Sequence, residues 1–276
     1  MKKKSKGSRK MKPWKQLGFV GKIWRVIWVT LLGLWALSLF LVLLYRFVNP
    51  PFTPLMVQRF FEQVVDSDRK VNFERDYVSI DDISPNLVTA VVYSEDGLFM
   101  YHHGFDVKQL KQAYRENKQG RRMRGGSTIS MQTAKNAFLP HSRNYLRKAI
   151  EAYYTQLIEW VWGKKRIMEV YLNIIEFGDG IYGCEAASQH YFGHSAKTLS
   201  KREAAQLAVT LPSPIKHNPA HQGPFFRKQT GVVMGRMGWG RVNLDSEKAK
   251  NNKKYSNQET IWDFAVWLFE QKTSKK

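Results

Sequence analysis

One cysteine in 276 residues, Cys184, excludes an intrachain disulfide framework and any cysteine-rich zinc site. Acid is scarce as well: 23 Asp and Glu stand against 44 Lys and Arg, a formal charge of +21. The first 25 residues hold ten of the cations and no acid. The stretch that follows, Val26 to Tyr45 (VIWVTLLGLWALSLFLVLLY), lacks charge of either sign. It also lacks a polar face, which argues against a buried core helix. Strand-like patterns are few after residue 50, and no internal repeat or low-complexity segment is present there. Hydrophobic residues still make up 43%, enough for a packed core, so a wholly disordered chain is excluded.

Twenty uncharged residues in a helix reach roughly 30 Å, the hydrocarbon thickness of a bilayer. Trp24, Trp28 and Tyr45 stand near the ends, where aromatic rings favour the interface. Cations flank only the N-terminal side, which puts residues 1–25 in the cytoplasm and the chain beyond Arg46 outside. A cleavable signal would have a shorter apolar region, and Ala36-Leu37-Ser38 lies in mid-run. A retained single-pass anchor is expected. That span accounts for the basic cluster and leaves no case for a nucleic-acid partner. The chain then divides into a basic tail (1–25), a span (26–45), a linker with an extended piece at Tyr77–Ile80 (46–80), a mainly α domain (81–240), and a tail with a terminal helix (241–276).

Helix signals fill the exported part. Ser84-Pro85 pairs an N-cap with proline at the first helical position and opens a helix from Asn86 to about Glu95. Asp106 caps a second helix and Ser127 a third. Leu146, Ile150, Tyr153, Tyr154, Leu157, Ile158 and Val161 define a long amphipathic helix that Gly163 ends. Ile167, Val170, Tyr171 and Ile174 define another. Ser200 and Glu203 form a capping box ahead of a helix stopped by Pro212. The run Ile261–Phe269 reads as a terminal helix packing back on the domain, with a membrane-surface helix as the second reading.

Three motifs are more specific than a fold requires. Glu95-Asp96-Gly97-Leu98-Phe99-Met100-Tyr101-His102-His103-Gly104 sets an acid at the carbonyl end of an apolar helix. Burial and the helix dipole there raise a carboxyl pKa, which suits a general base. Gly125-Gly126-Ser127-Thr128 opens a helix carrying Gln132, Lys135 and Asn136, and free N–H groups at such a start suit a phosphate. The Gly-Lys-Ser/Thr order of a Walker A loop is absent. Arg147-Lys148-x-x-Glu151 puts two cations and an acid one turn apart. Each motif alone has an ordinary structural explanation: a surface acid, a capped helix start, a solvated ion pair.

In this order and spacing the three resemble the peptidoglycan glycosyltransferase family 51. A fourth block, Glu169-Val170-Tyr171-Leu172-Asn173, continues to Gly183, Ala186-Ala187 and Tyr191-Phe192-Gly193, and a looser fifth runs Val232–Met237. The resemblance covers about residues 80–240, with Ser130, Met131 and Thr133 departing from the usual second block. It implies a mainly α, lysozyme-like domain with a head and a membrane-facing jaw, and polymerisation of lipid II into β-1,4 glycan. By the same resemblance Glu95 and Glu151 are the catalytic pair, Glu95 the general base and Glu151 the second essential carboxylate, near the leaving diphosphate. Asp96, Phe99, His102, Gly126, Ser127, Thr128, Gln132, Lys135, Asn136, Arg147, Lys148, Glu169, Tyr171 and Asn173 become the substrate-binding set. The implied partners are lipid II, the growing lipid-linked glycan and the bacterial cytoplasmic membrane, with other wall-synthesis or division proteins as companions. The resemblance admits a divalent cation, magnesium or manganese, near Glu95 and Glu151; the sequence itself requires none.

Ser213-Pro214-Ile215-Lys216 fits S-x-x-K, yet no Ser-Asp-Asn or Lys-Thr-Gly follows, and the 60 residues after it are too few for a transpeptidase domain. A monofunctional enzyme is expected. His190 and His194 lack the H-E-x-x-H pattern of a metal site. The competing readings are a muramidase-like hydrolase, which needs no cationic diphosphate site, and an inactive membrane-anchored scaffold, which needs neither glutamate. The Gly/Arg-rich loop 120–126 is expected to be mobile and to order on substrate.

Overall fold

The computed structural model describes residues 18–66, 71–120, 125–140, 142, 144–245 and 259–273. The chain forms two units, Met1–Leu44 and Tyr45–Lys276. In the first, helix α1 (Phe19–Tyr45) is the one described helix long and apolar enough to cross a bilayer. It begins seven residues before the expected start at Val26. Lys22 and Arg25 join it because long cationic side chains lie along a helix while their heads reach water. The rest of the basic tail, residues 1–17, lies outside the described residues.

The second unit is mainly α. The stretch expected as a linker contains helix α2 (Pro54–Val65), with Thr53 capping Met56 N–H at 3.2 Å and proline at its first position. Leu55 and Met56 are buried, so this helix belongs to the domain's core. The extended piece lies at β1 (Glu74–Arg75) rather than at Tyr77–Ile80. Beyond it come α3 (Pro85–Glu95), α4 (Val107–Lys118), α5 (Ile129–Phe138), α6 (Tyr145–Val161) and α7 (Gly163–Ile174). Trp162 alone separates α6 from α7, and Gly163 takes the left-handed φ of +73° that lets the chain turn there. Strands β2 (Glu176–Gly178) and β3 (Ile181–Tyr182) follow, with β3 between a parallel β1 and an antiparallel β2. Helices α8 (Cys184–Phe192), α9 (Lys201–Thr210), α10 (Pro224–Met237) and α11 (Ile261–Thr273) complete the unit.

Two helix groups organise the core. Helix α3 packs on α9 and α10, while α5 packs on α6, α7 and α2. The C-terminal end of α3 meets the start of α5, so a residue ending α3 faces the second group. Helix α5 begins one residue later than expected: Thr128, not Ser127, is the cap, accepting from Met131 N–H at 3.2 Å. Ser127 is thereby left exposed, facing outward from the helix start. Helix α11 packs back on α4 through Ile261 and Phe264.

Candidate active site

Glu95 is the last residue of α3. Its side chain is half-buried, and burial is the main reason its pKa lies above the ordinary carboxylate value. Gln132 donates Nε2–H to Glu95 Oε2 at 2.9 Å and lowers that pKa; Asp96 raises it by repulsion, and Lys135 lowers it. The Gln132 amide is oriented from behind. Fully buried Tyr171 on α7 donates its hydroxyl to Gln132 Oε1 at 3.1 Å, which turns the amide nitrogen toward Glu95.

Lys135 lies one turn beyond Gln132, on the same face of α5. Burial lowers its pKa, Glu151 raises it, Arg147 and Lys148 lower it, and Glu95 raises it. One ammonium group therefore feels both carboxylates. Glu151 on α6 is 2% exposed and accepts from Arg147 Nη1 at 2.5 Å and from Lys148 Nζ. Lys148 also reaches Ser127 Oγ at 3.4 Å. Arg147 Nε is buried without a hydrogen-bond partner. Three cations against two carboxylates leave this cluster positive.

The remaining expected site residues separate into two structural groups. Asp96, Phe99 and His102 are buried beneath Glu95. Asp96 accepts from His102 Nε2 at 2.9 Å and from the Ile129 N–H at 3.0 Å, tying the end of α3 to the first turn of α5. His102 Nδ1 accepts from Gly104 N–H at 3.1 Å, so Nε2 carries the proton toward Asp96. Thr128 donates to the Gly104 carbonyl at 2.6 Å, and Gly126 lies against Leu110. Glu169 and Asn173, four apart on α7, face the segment before α3. Asn173 pairs with both backbone groups of Val78 at 2.9 Å, and Glu169 accepts from Ile80 N–H at 3.2 Å. Tyr171 lies two residues from each and points the other way, as a 3.6-residue turn requires.

A cleft of about 490 Å³ opens beside Gln132, Lys135 and buried Asn136. Its other wall is Leu211–Lys216, the S-x-x-K stretch, here a turn after α9. Arg59 from α2 and Glu176 from β2 also line it, with Arg59 Nε 3.4 Å from Glu176 Oε2. Burial raises the Glu176 pKa to about 6, against the pull of Arg59. Neither residue stood out in the sequence. The pairing joins elements about 117 positions apart, and only the cap and proline of α2 could have hinted at it.

Among the described residues no three His, Cys, Asp or Glu side chains gather as a metal site. Both Glu151 oxygens are held by cations, and the cluster is positive, so these residues do not fit a resident magnesium or manganese ion. The loop residues 121–124 lie outside the described residues.

The Transglycosylase family model matches residues 62–238. The chain belongs to the transglycosylase family. It is 50% identical over 192 residues to the biosynthetic peptidoglycan transglycosylase of Caulobacter vibrioides, covering 70% of this chain and 81% of that one. The Haemophilus influenzae protein of the same name is 44% identical over 231 residues, 83% of this chain and 92% of its own. The Pseudomonas aeruginosa one is 42% identical over 215 residues, 78% and 92%. The transglycosylase match begins in the last turn of α2, and the mainly α architecture accords with the lysozyme-like fold expected for the family.

Proposed function

We propose that this transglycosylase polymerises peptidoglycan, moving a growing lipid-linked glycan onto the GlcNAc 4-hydroxyl of lipid II. Glu95 takes the hydroxyl proton as the oxygen bonds to the donor's anomeric carbon. The bond from that carbon to the diphosphate breaks, and its electron pair leaves with undecaprenyl diphosphate. Attack from the face opposite the leaving group inverts the α-linked donor to a β-1,4 product, with one carboxylate activating the nucleophile. Lys135, Arg147 and Lys148 stabilise the charge that develops on the diphosphate, so no strong acid is needed. Gln132 and Asn136 line the cleft beside Lys135, and Ser127 stands next to the Lys148 ammonium.

Glu151, buried between two cations, acts as a positioning residue that holds them in register. Asp96, Phe99, His102, Gly126 and Thr128 hold the α3–α5 junction, and Glu169 and Asn173 hold α7 to the chain before α3. Helix α1 anchors the enzyme in the inner membrane as a single span, N-terminus in the cytoplasm and catalytic unit outside. The observation that carries this reading is one face of α5, on which Gln132 bonds Glu95 and Lys135, one turn further on, lines the cleft beside it.

Two substrates given to the purified full chain test it. Lipid II must yield long glycan, and preformed glycan must keep its length. Shortening of the preformed strands, with no polymer from lipid II, would establish the muramidase reading instead.

A further inference from the structure

Residues 45–49, which open the second unit, touch the ends of the three helices that carry Lys135, Glu151 and Tyr171. The Tyr45 ring stacks at 5.8 Å on Phe138, the last residue of α5. Arg46 donates from its guanidinium to the Val161 carbonyl, the last of α6, where a cation suits the negative end of the helix. The third hold is Arg166, in the first turn of α7. Its Nε and Nη2 donate to the Tyr45 carbonyl at 3.1 and 2.9 Å, and Nη2 donates to the Val48 carbonyl at 3.0 Å. Its Nη1 donates to Asn49 Oδ1 at 2.9 Å, to the Tyr77 hydroxyl at 3.3 Å and to the Glu169 carboxylate. Every nitrogen of the guanidinium is engaged and its side chain is only 14% exposed, an arrangement that a lysine's single ammonium cannot reproduce.

Helix α7 lies between this hold and Glu95. On one side Arg166 and Glu169 bind residues 45–49 and the Tyr77–Ile80 stretch. On the other, Tyr171 donates to the Gln132 amide that bonds Glu95. Close-packed interiors transmit a shift of one helix face to the other, and a displacement of about 1 Å far from the chemistry can cost about 10²-fold in rate. We propose that Arg166 is a positioning residue of the reaction: by fixing residues 45–49 to α7 it sets how Tyr171 presents Gln132 to Glu95. The kinetic consequence rests on the polymerase reading of the cleft; the geometric one does not. The charged groups around Glu95 are Asp96 beside it, Lys135 of α5, and Arg236 of α10, which donates to the Tyr93 carbonyl at 3.1 Å. Arg166 bonds none of these, so its route to the carboxylate runs through α7.

The test follows Glu95 itself, by carbon NMR titration of the full chain in detergent with labelled glutamate carboxyls. The Glu95 signal is the one missing from Glu95→Gln. A loosened Gln132 bond raises the Glu95 pKa, so Arg166→Gln and Tyr171→Phe should each move the titration to higher pH. The double variant should move it no further than Tyr171→Phe alone, because both changes act on the same bond. With lipid II, Arg166→Gln should lower kcat about tenfold and change KM by less than about twofold. An unmoved Glu95 titration in folded Arg166→Gln overturns the proposal, and so does a double variant whose shift is the sum of the two. If Arg166→Gln does not fold, Arg166→Lys takes its place with the same expectations, since it keeps the charge beside Glu169 but cannot hold both carbonyls. A wild type that makes no polymer from lipid II would refute the polymerase reading, and the titrations would still decide the role of Arg166.

Discussion

Glu95 carries two opposing demands. The half-buried environment that raises its proton affinity also makes its ionised form costly to the folded chain. The folded pKa is raised, so its contribution to stability falls as pH climbs from the unfolded pKa through the folded one. Glu95→Gln should therefore leave Tm at neutral pH unchanged or higher, measured by thermal unfolding of the full chain in detergent; a clear drop would contradict the burial argument. Gln132 stabilises the charged form, so losing its N–H raises the Glu95 pKa further. Tyr171→Phe releases the amide that does this. The acid limb of the kcat/KM profile should then move to higher pH, with kcat lowered more than KM is raised. An unshifted limb would mean that Tyr171 only fills space.

Among the elements, Asp96 shows how one buried side chain sets the site's geometry, bonding His102 in the loop after α3 and a backbone N–H at the start of α5. Asp96→Ala strands a buried histidine and an amide together, and should cost about 3–5 kcal/mol in denaturant unfolding. A cost below about 1 kcal/mol would show that the junction is held elsewhere. Gly180 is a second such point, with φ +74° and an added Cβ only 2.0 Å from the Asn72 carbonyl. Gly180→Ala should unfold the β1–β3–β2 corner, seen as lost amide protection around residues 176–182. Much of this layer was legible beforehand. Ser84-Pro85, Asp106 and the Ser200–Glu203 box open helices as their cap chemistry demands, and Thr53-Pro54 gives the same signal, overshadowed by Pro50 and Pro51. Strands of two or three residues show no alternation to read. The motifs bring Glu95, Gln132, Lys135 and Glu151 into view, while the Arg59–Glu176 wall depends on which distant elements the packing joins.

Over the whole molecule, a formal charge of +21 and one span-length helix suit an anionic, lipid-linked substrate at a membrane. Added salt should raise the KM for lipid II far more than it lowers kcat, because screening weakens capture of the diphosphate before it weakens the cleft's inner contacts. A salt-independent KM would leave the cationic cluster without its role. At the centre stand a proton-accepting Glu95, held by Gln132, and the cations Lys135, Arg147 and Lys148. Polymer formed from lipid II by the purified full chain, wild type beside Glu95→Gln, tests this arrangement most directly. The account predicts glycan from the wild type and a rate about 10²–10⁴-fold lower from a variant that is still folded; full polymer yield from Glu95→Gln would contradict it.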